Sequence, residues 1–368
     1  MNNNIVIGLG CGDEGKGLVV DWLCSKDSIL LVIRFSGGHQ VGHTVVIEDK
    51  THIFSNFGSG TLRGIPTYWS KYCTVEPIGL VNELELLLSK GINPLLYIDA
   101  KCPITTPMDI SHNQDSEETN NHGSMGVGFG STIEREEKHY SLIFSDLFYP
   151  NILDEKLRLI RRYYNEDMFC INKDFYESCK ILINSPQIKK VYDLPEEYNY
   201  ICEGSQGLLL DQNFGFFPNV TRSNTGCKNA IEILKDSDPD IYLVTRAYQT
   251  RHGNGFMTNE NMPHNILDNP LESNVENKYQ GKFRKSLLDV SLLEYGINKD
   301  NYIRNSDKKN LVITCLDSVI NEYRFTYKGE ICLCIDEDDF IKRISNILNI
   351  TNVYISRSNK SENIRRFR

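Results

Sequence analysis

The chain reads as an α/β protein whose mainly parallel central sheet carries helices on its faces. Two features of the sequence predict this. Short apolar runs recur along the chain, with helix-period stripes between several of them. The first run also breaks into five glycines in ten positions, Gly8 to Gly17, before a helical stripe begins. In order, strand-like runs fall at 5–7, 29–35, 95–98, 200–202, 241–245 and 311–315. Leu18, Val19, Trp22 and Leu23 share one helix face, and 78–90 makes a second apolar stripe. Further on, 322–327 and 330–335 flank Lys328-Gly329 as a hairpin, followed by a helical 337–348 and a strand-like 353–356. The polar run SHNQDSEETNN at 111–121 is expected to be a mobile loop, and 1–368 to be one α/β domain with excursions.

Composition narrows the function. With 368 residues, 40% hydrophobic and 24% charged, the chain can bury a large core and matches an ordinary globular protein. A net charge of −9 argues against a general nucleic-acid-binding surface while leaving room for a local basic nucleotide pocket. No apolar run approaches the roughly 20 residues of a membrane span, and the opening MNNN lacks the charged and apolar regions of a signal peptide. The eleven cysteines are scattered, odd in number and without a C-x-x-C pair. They read as buried small hydrophobes in a reducing compartment rather than a disulfide or zinc framework. A cytoplasmic protein with no nucleic-acid or membrane partner is expected.

Two phosphate-associated motifs overlap in the first turn. Gly10, Gly12 and Gly15 fit the dinucleotide fingerprint, but VIRFSGGHQ ends the next strand in Ser-Gly-Gly, where a ribose-binding acid is due. Gly10 to Lys16 also fit the phosphate-cradling G-x-x-x-x-G-K, with Gly17 in place of the Mg2+-binding Ser or Thr. A phosphate loop without that hydroxyl needs another oxygen for its metal, and Asp13 is the obvious one. The plainer alternative is a glycine turn in which Asp13 and Glu14 only favour a helix N-terminus. A second turn, RFSGGHQVGHTVV at 34–46, brings His39 and His43. No acid or third histidine accompanies them, so a histidine beside an anionic phosphate fits better than a metal site.

GDEGKG followed by GGHQVGHT strongly resembles the adenylosuccinate synthetase family, whose usual forms are GDEGKG and GGHNAGHT. The resemblance continues in order through GSGTLRG (58–64), HGSMGVGFG (122–130), EGSQGLLLD (203–211), FFPNVTRSNT (216–225), TRHGNG (250–255) and TCLD (314–317). It implies the family's fold, with a phosphate-loop-like GTP site. It also implies an enzyme that uses GTP and Mg2+ to couple L-aspartate to C6 of IMP. Asp13 matches the base that takes the purine N1 proton so that O6 can attack the GTP γ-phosphate. It also matches a Mg2+ ligand, as does the Gly42 carbonyl. His43 would stabilise charge on O6 and on the transferring phosphoryl group. Gly12, Glu14, Gly15, Lys16, Gly17, Gly42, Thr44, Asp317 and Ser356 match GTP-binding positions, with Asp317 reading the guanine edge. Asp13, Gln40, Ser124, Gln206, Thr221 and Gly253 match purine-nucleotide positions. Lys282, Arg284 and Lys285 fall where the family's arginine-rich loop binds the amino acid, and a homodimer is implied.

Departures from the pattern gather on the nucleotide and amino-acid side. QWGDEGKG is GCGDEGKG here, the GGHN asparagine is Gln40, and the GTTGRG loop carries Met125 and Val127 in place of a threonine and an arginine. The lysine of TKLD becomes Cys315, and a loop of four arginines becomes KYQGKFRKSLLD. Lysine does not replace a bidentate arginine clamp. His139 falls near the arginine that crosses the family's dimer interface. Three readings stay open: IMP as acceptor, dGMP or another 6-oxopurine nucleotide as acceptor, and an amine donor other than aspartate. A non-catalytic purine-nucleotide sensor is the alternative of a different class. Lys16 and the missing ribose acid disfavour a dehydrogenase.

Overall fold

A computed structural model describes residues 3–26, 30–120, 123–166, 170–235, 237–269, 272, 276 and 278–368. Its strands, in chain order, begin with β1 Asn4–Gly8, β2 Leu30–Arg34, β3 His43–Ile47, β4 Lys50–Phe54 and β5 Thr67–Trp69. They continue with β6 Leu96–Asp99, β7 Ile188–Val191, β8 Asn199–Gly207, β9 Asp240–Arg246, β10 Tyr248–His252 and β11 Phe283–Leu287. The last are β12 Lys309–Thr314, β13 Arg324–Tyr327, β14 Glu330–Leu333, β15 Asn352–Ile355 and β16 Arg365–Arg366. Among the described residues, ten of them form one sheet in the order β16-β15-β12-β9-β1-β8-β2-β5-β6-β7. Neighbours run parallel throughout, except that β16 pairs antiparallel with β15. The expected fold class is therefore the observed one.

The central strands read as unbroken apolar runs because both faces are covered. Ile5 and Ile7, Leu31 and Ile33, Leu243, and Ile313 join one core cluster. Their alternate neighbours Val6, Val32, Val244 and Val312 join another with Leu18, Val19, Val20 and Leu23. Those four belong to α1 (Lys16–Cys24), so the first helix closes one face of β1, β2, β9 and β12. Helix α2 (Pro77–Ser89) lies over a third cluster, through Leu80, Leu84 and Leu87. The turn between β13 and β14 holds Lys328 and Gly329 at φ 51° and 83°. That is the double left-handed geometry of a tight hairpin.

Every expected strand run overlaps an observed strand; residue 29 of the second run lies outside the described residues. The polar run at 111–121 is corrected: residues 111–120 are the body of α3 (Pro107–Asn120), and residue 121 lies outside the described residues. Thr106, Pro107 and Asp109 start that helix. Asp109 Oδ2 accepts from the Thr106 amide at 2.7 Å, and the Asp109 amide donates to Thr106 Oγ1 at 3.3 Å. Asp109 also accepts Arg135 Nε at 2.9 Å, and both side chains are fully buried. This pair ties α3 to α4 (Phe129–Glu137). A polar helix can persist because this capping and ion pairing replace the missing apolar stripe.

Candidate active site

β1 ends at Gly8, and the chain turns over the side chain of Glu14 before entering α1. Glu14 Oε1 accepts from the Gly10 and Gly12 amides at 3.0 and 2.8 Å, and Oε2 accepts from Lys16 Nζ at 2.6 Å. A Cβ at Gly8 would lie 2.1 Å from that carboxylate, so glycine there is a steric requirement. Glu14 is 3% exposed and its carboxylate is spent inside the loop. Its side chain is thus not on the wall expected to meet GTP. Asp13, held at φ 64°, lines the cavity above. The Asp13 carbonyl accepts Arg246 Nε at 2.5 Å. Burial raises the Asp13 carboxyl pKa, against the pull of Arg246 and Lys16. That is the direction needed by a group that takes up a proton.

His43 opens β3 with its Nδ1 2.6 Å from Oε1 of Glu203, a fully buried residue of β8. Glu203 also accepts from the Ser59 amide at 3.0 Å and from the Ser59 hydroxyl. Burial alone would push Glu203 up, but His43, Arg34 and Ser59 hold it at about 2. An ionised carboxylate at Nδ1 keeps the proton there and leaves Nε2 for chemistry. Burial pushes the His43 imidazole below its ordinary value, against the pull of Glu203. Arg34, fully buried at the end of β2, donates to the Phe57 carbonyl and the Ser205 hydroxyl and packs on Trp69. Glu203, Ser59 and Arg34 had no role in the sequence reading. The available signal was a charged residue ending or following each buried strand run, as in VIRF and YICEGS.

One cavity of about 1490 Å3 opens over the C-terminal ends of β1, β2, β8, β9 and β12, the usual ligand position in a parallel α/β sheet. Gly12, Asp13, Gly15, Lys16, Gly17, Gly42, His43, Thr44 and Asp317 line it, as do Gln40, Ser124, Gln206 and Thr221. The side-chain amide of Gln40 is buried without a partner at either end, and so is the Gln206 carbonyl oxygen. Buried polar atoms of this kind need a partner, which a polar ligand or a water can supply.

The remaining site residues lie elsewhere. Ser356 is buried with its hydroxyl on the Ser358 carbonyl at 2.8 Å, while Arg357, Ser358 and Asn359 reach the cavity. Gly253 and the expected amino-acid cations are also off the wall. Arg284 donates to the Gly253 and Gly255 carbonyls and pairs with Glu260 at 3.0 Å. Lys285 pairs with Asp268 at 2.5 Å, and Lys282 is exposed. These three are therefore not gathered into a clamp. Arg251, in the TRHGNG motif but given no role in the sequence reading, lines the cavity instead and donates to the carbonyls of Asn219, Asn254 and Phe256.

The far wall is a glycine loop, 123–128, shaped by the polar face of α3. Asn113 Nδ2 donates to Ser124 Oγ at 3.0 Å, and Asn113 Oδ1 accepts from the Gly128 amide at 3.0 Å. Gln114 Nε2 donates to the Gly126 carbonyl at 3.1 Å, and Glu117 Oε2 accepts from the Gly123 amide at 2.7 Å. Met125 and Val127 line the cavity here. Reading 111–121 as a loop hid Asn113, Gln114 and Glu117.

The donor chemistry fits Mg2+. Asp13 supplies a carboxylate and Gly42 a carbonyl to the same cavity, both hard oxygens. Among the described residues, no three His, Cys, Asp or Glu side chains gather as a metal cage. Phosphates and water would supply the ion's other ligands.

Residues 5–324 match the family model for adenylosuccinate synthetase. Adenylosuccinate synthetases of Borrelia duttonii and Neisseria gonorrhoeae are 31% and 32% identical over 277 residues, 69% of this chain. The match spans 64% of the length of each of these relatives. The fold is similar to that of fully ligated adenylosuccinate synthetase from Plasmodium falciparum (TM-score 0.79, 18% identity, 100% of both chains). It is also similar to the succinoaminodeoxyadenylate synthetase of cyanophage S-2L, bound to dGMP and dATP (TM-score 0.67, 14% identity, 99% of this chain and 95% of that one). The chain belongs to the adenylosuccinate synthetase family.

Proposed function

We propose that the chain is a GTP-dependent ligase joining L-aspartate to C6 of a 6-oxopurine nucleotide, IMP first, through a 6-phosphoryl intermediate. One observation carries this: Asp13, the Glu203-backed His43 and the Lys16 glycine loop share a single cavity. Asp13 takes the N1 proton of the purine, which makes O6 nucleophilic towards the γ-phosphate. Lys16 and the amides of Gly15 and Gly17, at the start of α1, hold the triphosphate. Ionised Glu203 stabilises the imidazolium form of His43 as charge gathers, so Nε2 donates to O6 and the phosphoryl group. Mg2+ held by Asp13 and the Gly42 carbonyl would screen the phosphate charge. Asp317 accepts from the guanine edge, which favours GTP over ATP. Gln40, Ser124, Gln206 and Thr221 hold the acceptor. The reading carries a homodimer and a cytoplasmic setting with it; among the described residues no helix is long and apolar enough to cross a membrane.

A second acceptor is favoured by one observation. Arg284, the one arginine of the altered loop, is bonded to the Gly253 and Gly255 carbonyls. A cavity with no arginine from that loop suits a deoxynucleotide such as dGMP. The test supplies GTP, Mg2+ and L-aspartate with IMP, dIMP, GMP or dGMP, and reads GDP release and the mass of the succino-product. Product from IMP supports the first reading, and product mainly from dGMP the second. GDP release without a succino-product moves the search to another amine. Nucleotide binding with no turnover under any donor would make the chain a sensor.

A further inference from the structure

Arg357 had no role in the sequence reading, yet it lines the cavity just beyond the end of β15. Its side chain is 52% exposed. Nε donates to Glu337 Oε1 at 2.9 Å, and Nη2 donates to the same oxygen. Glu337 opens the helix Glu337–Leu348, and its Oε2 accepts from the Tyr323 hydroxyl at 2.7 Å. One edge of the guanidinium is thus held by a carboxylate that is itself held. The opposite edge, made by Nη1 and the second hydrogen of Nη2, has no partner among the described residues. A planar fork fixed on one side and open on the other suits a flat ligand with paired acceptors.

Contacts fix where that fork stands. Thr314, the last residue of β12, donates through Oγ1 to the Glu14 carbonyl of the phosphate loop at 2.7 Å. Leu316, beside Asp317, donates its amide to the Ser356 carbonyl at 3.3 Å. The Tyr323 hydroxyl that holds Glu337 also lies 3.4 Å from the Leu316 carbonyl. In the sheet, β15 lies beyond β12 on the side away from β1. The wall therefore runs outward from the phosphate loop, through Asp317, to Arg357. A nucleotide with its phosphates at Lys16 and its base at Asp317 brings that base beside Arg357. Guanine offers two neighbouring acceptors, O6 and N7, where adenine offers an amino donor and N7. Asp317 can accept from guanine N1–H and the 2-amino group but gives O6 nothing. Ser356 spends its hydroxyl on the Ser358 carbonyl at 2.8 Å, and Cys315 stands where the family pattern has lysine. Among the described residues that line the cavity beyond β12 and β15, Arg357 is the only cation.

We infer that Arg357 reads the O6 and N7 edge of the phosphate donor's guanine, while Asp317 reads N1–H and the 2-amino group. This rests on the assignment of GTP in the ligase reading and deepens it. The cation missing at position 315 is supplied from the neighbouring strand end. Adenine would turn its amino group towards the guanidinium, donor against donor, and would offer Asp317 no N1 hydrogen. ATP is therefore refused at both residues.

The test measures Kd by calorimetry for GTP, 7-deaza-GTP and ATP, each with Mg2+, on the full chain and on R357M. Methionine keeps an unbranched stem and removes every donor. The wild type is expected to bind GTP about tenfold or more tighter than 7-deaza-GTP, in which a C–H replaces N7, and tighter still than ATP. In R357M, GTP binding should weaken about tenfold or more, and GTP and 7-deaza-GTP should then bind within about twofold of each other. A wild type indifferent to the loss of N7, or an R357M that keeps the whole penalty, overturns the assignment. The wild-type comparison does not depend on any variant folding. Binding needs no turnover, so a chain that binds GTP as expected yet ligates no amine loses the ligase reading and keeps Arg357. A chain that ligates aspartate while R357M binds GTP as the wild type does loses the Arg357 assignment alone.

Discussion

The two sides of the cavity are built differently. The phosphate-loop side hangs from the ends of fully buried parallel strands, and its charges are matched inside the fold: Glu14 with Lys16, and Glu203 with His43. The α3–α4 side, with the 252–285 segment, rests on a polar helix and on loops held by side-chain bonds to glycine amides and carbonyls. The first arrangement fixes reacting groups to within the tolerance that chemistry demands. The second can change side chains without disturbing the sheet. Met125, Val127 and the altered KYQGKFRKSLLD loop lie on this second side, whereas Cys11, Gln40 and Cys315 lie in the turns at the strand ends. On the proposed reading, the reacting groups are held by the strands, while the loops help to choose the substrate.

If that division is right, the largest effects come from the strand-end side. Asp13→Asn keeps size and hydrogen bonding but removes the base, so kcat should fall by roughly 10³-fold while acceptor binding by calorimetry changes little. An equal loss of binding would show that Asp13 acts chiefly in holding the loop. Glu203→Gln ranks next. It leaves His43 without an anionic partner at Nδ1, and kcat should fall about 10²-fold with KM values nearly unchanged. The same group gives a pH signature. Its carboxyl sits at about 2 in the fold against an ordinary 4.5. A depressed folded value means a stabilisation complete above pH 4.5 and lost as pH falls towards 2. Urea midpoints of the wild type should drop across that window, and those of Glu203→Gln should drop less.

The loop side should break by losing shape rather than chemistry. Asp109→Ala removes one of two carboxylates from the buried Arg135 guanidinium, which keeps Glu136 at 2.8 Å, and the cost should be about 1–3 kcal/mol in urea unfolding. Below the midpoint, acceptor KM should rise more than kcat falls, because the 123–128 loop loses its foundation. A variant as stable as the wild type would mean that α3 is not held through this pair.

Legibility followed the same division. Apolar runs such as 241–245 and 311–315 became central strands because burial on both faces demands continuous hydrophobicity. Asp13, Lys16 and His43 could be singled out as candidates, and they do line the cavity, because glycines that clear space for a phosphate also mark the residues among them. Glu203 was missed because its partner lies 160 positions away in the chain, and no local pattern encodes that pairing. Helix α3 was missed because its stability comes from the Thr106–Asp109 cap and the Arg135 pair, while its apolar stripe is faint. β5, β7 and β16 are too short or too polar to announce themselves, and sheet neighbours supply what their own residues do not.

The smallest expected effect sharpens the comparison most. Lys285 was placed in the amino-acid site by its position in an altered arginine loop, yet its ammonium is 2.5 Å from Asp268, whose side chain is 97% exposed. A pair this open to solvent is worth at most about 1 kcal/mol, so Lys285→Met should cost little stability. If the loop has given up its role as a clamp, aspartate KM should also stay within about twofold. A rise of about tenfold or more would mean that Lys285 leaves Asp268 when the donor arrives. The loop side would then be a site assembled by its substrate, in contrast to the strand-end side, whose charges are already paired within the fold.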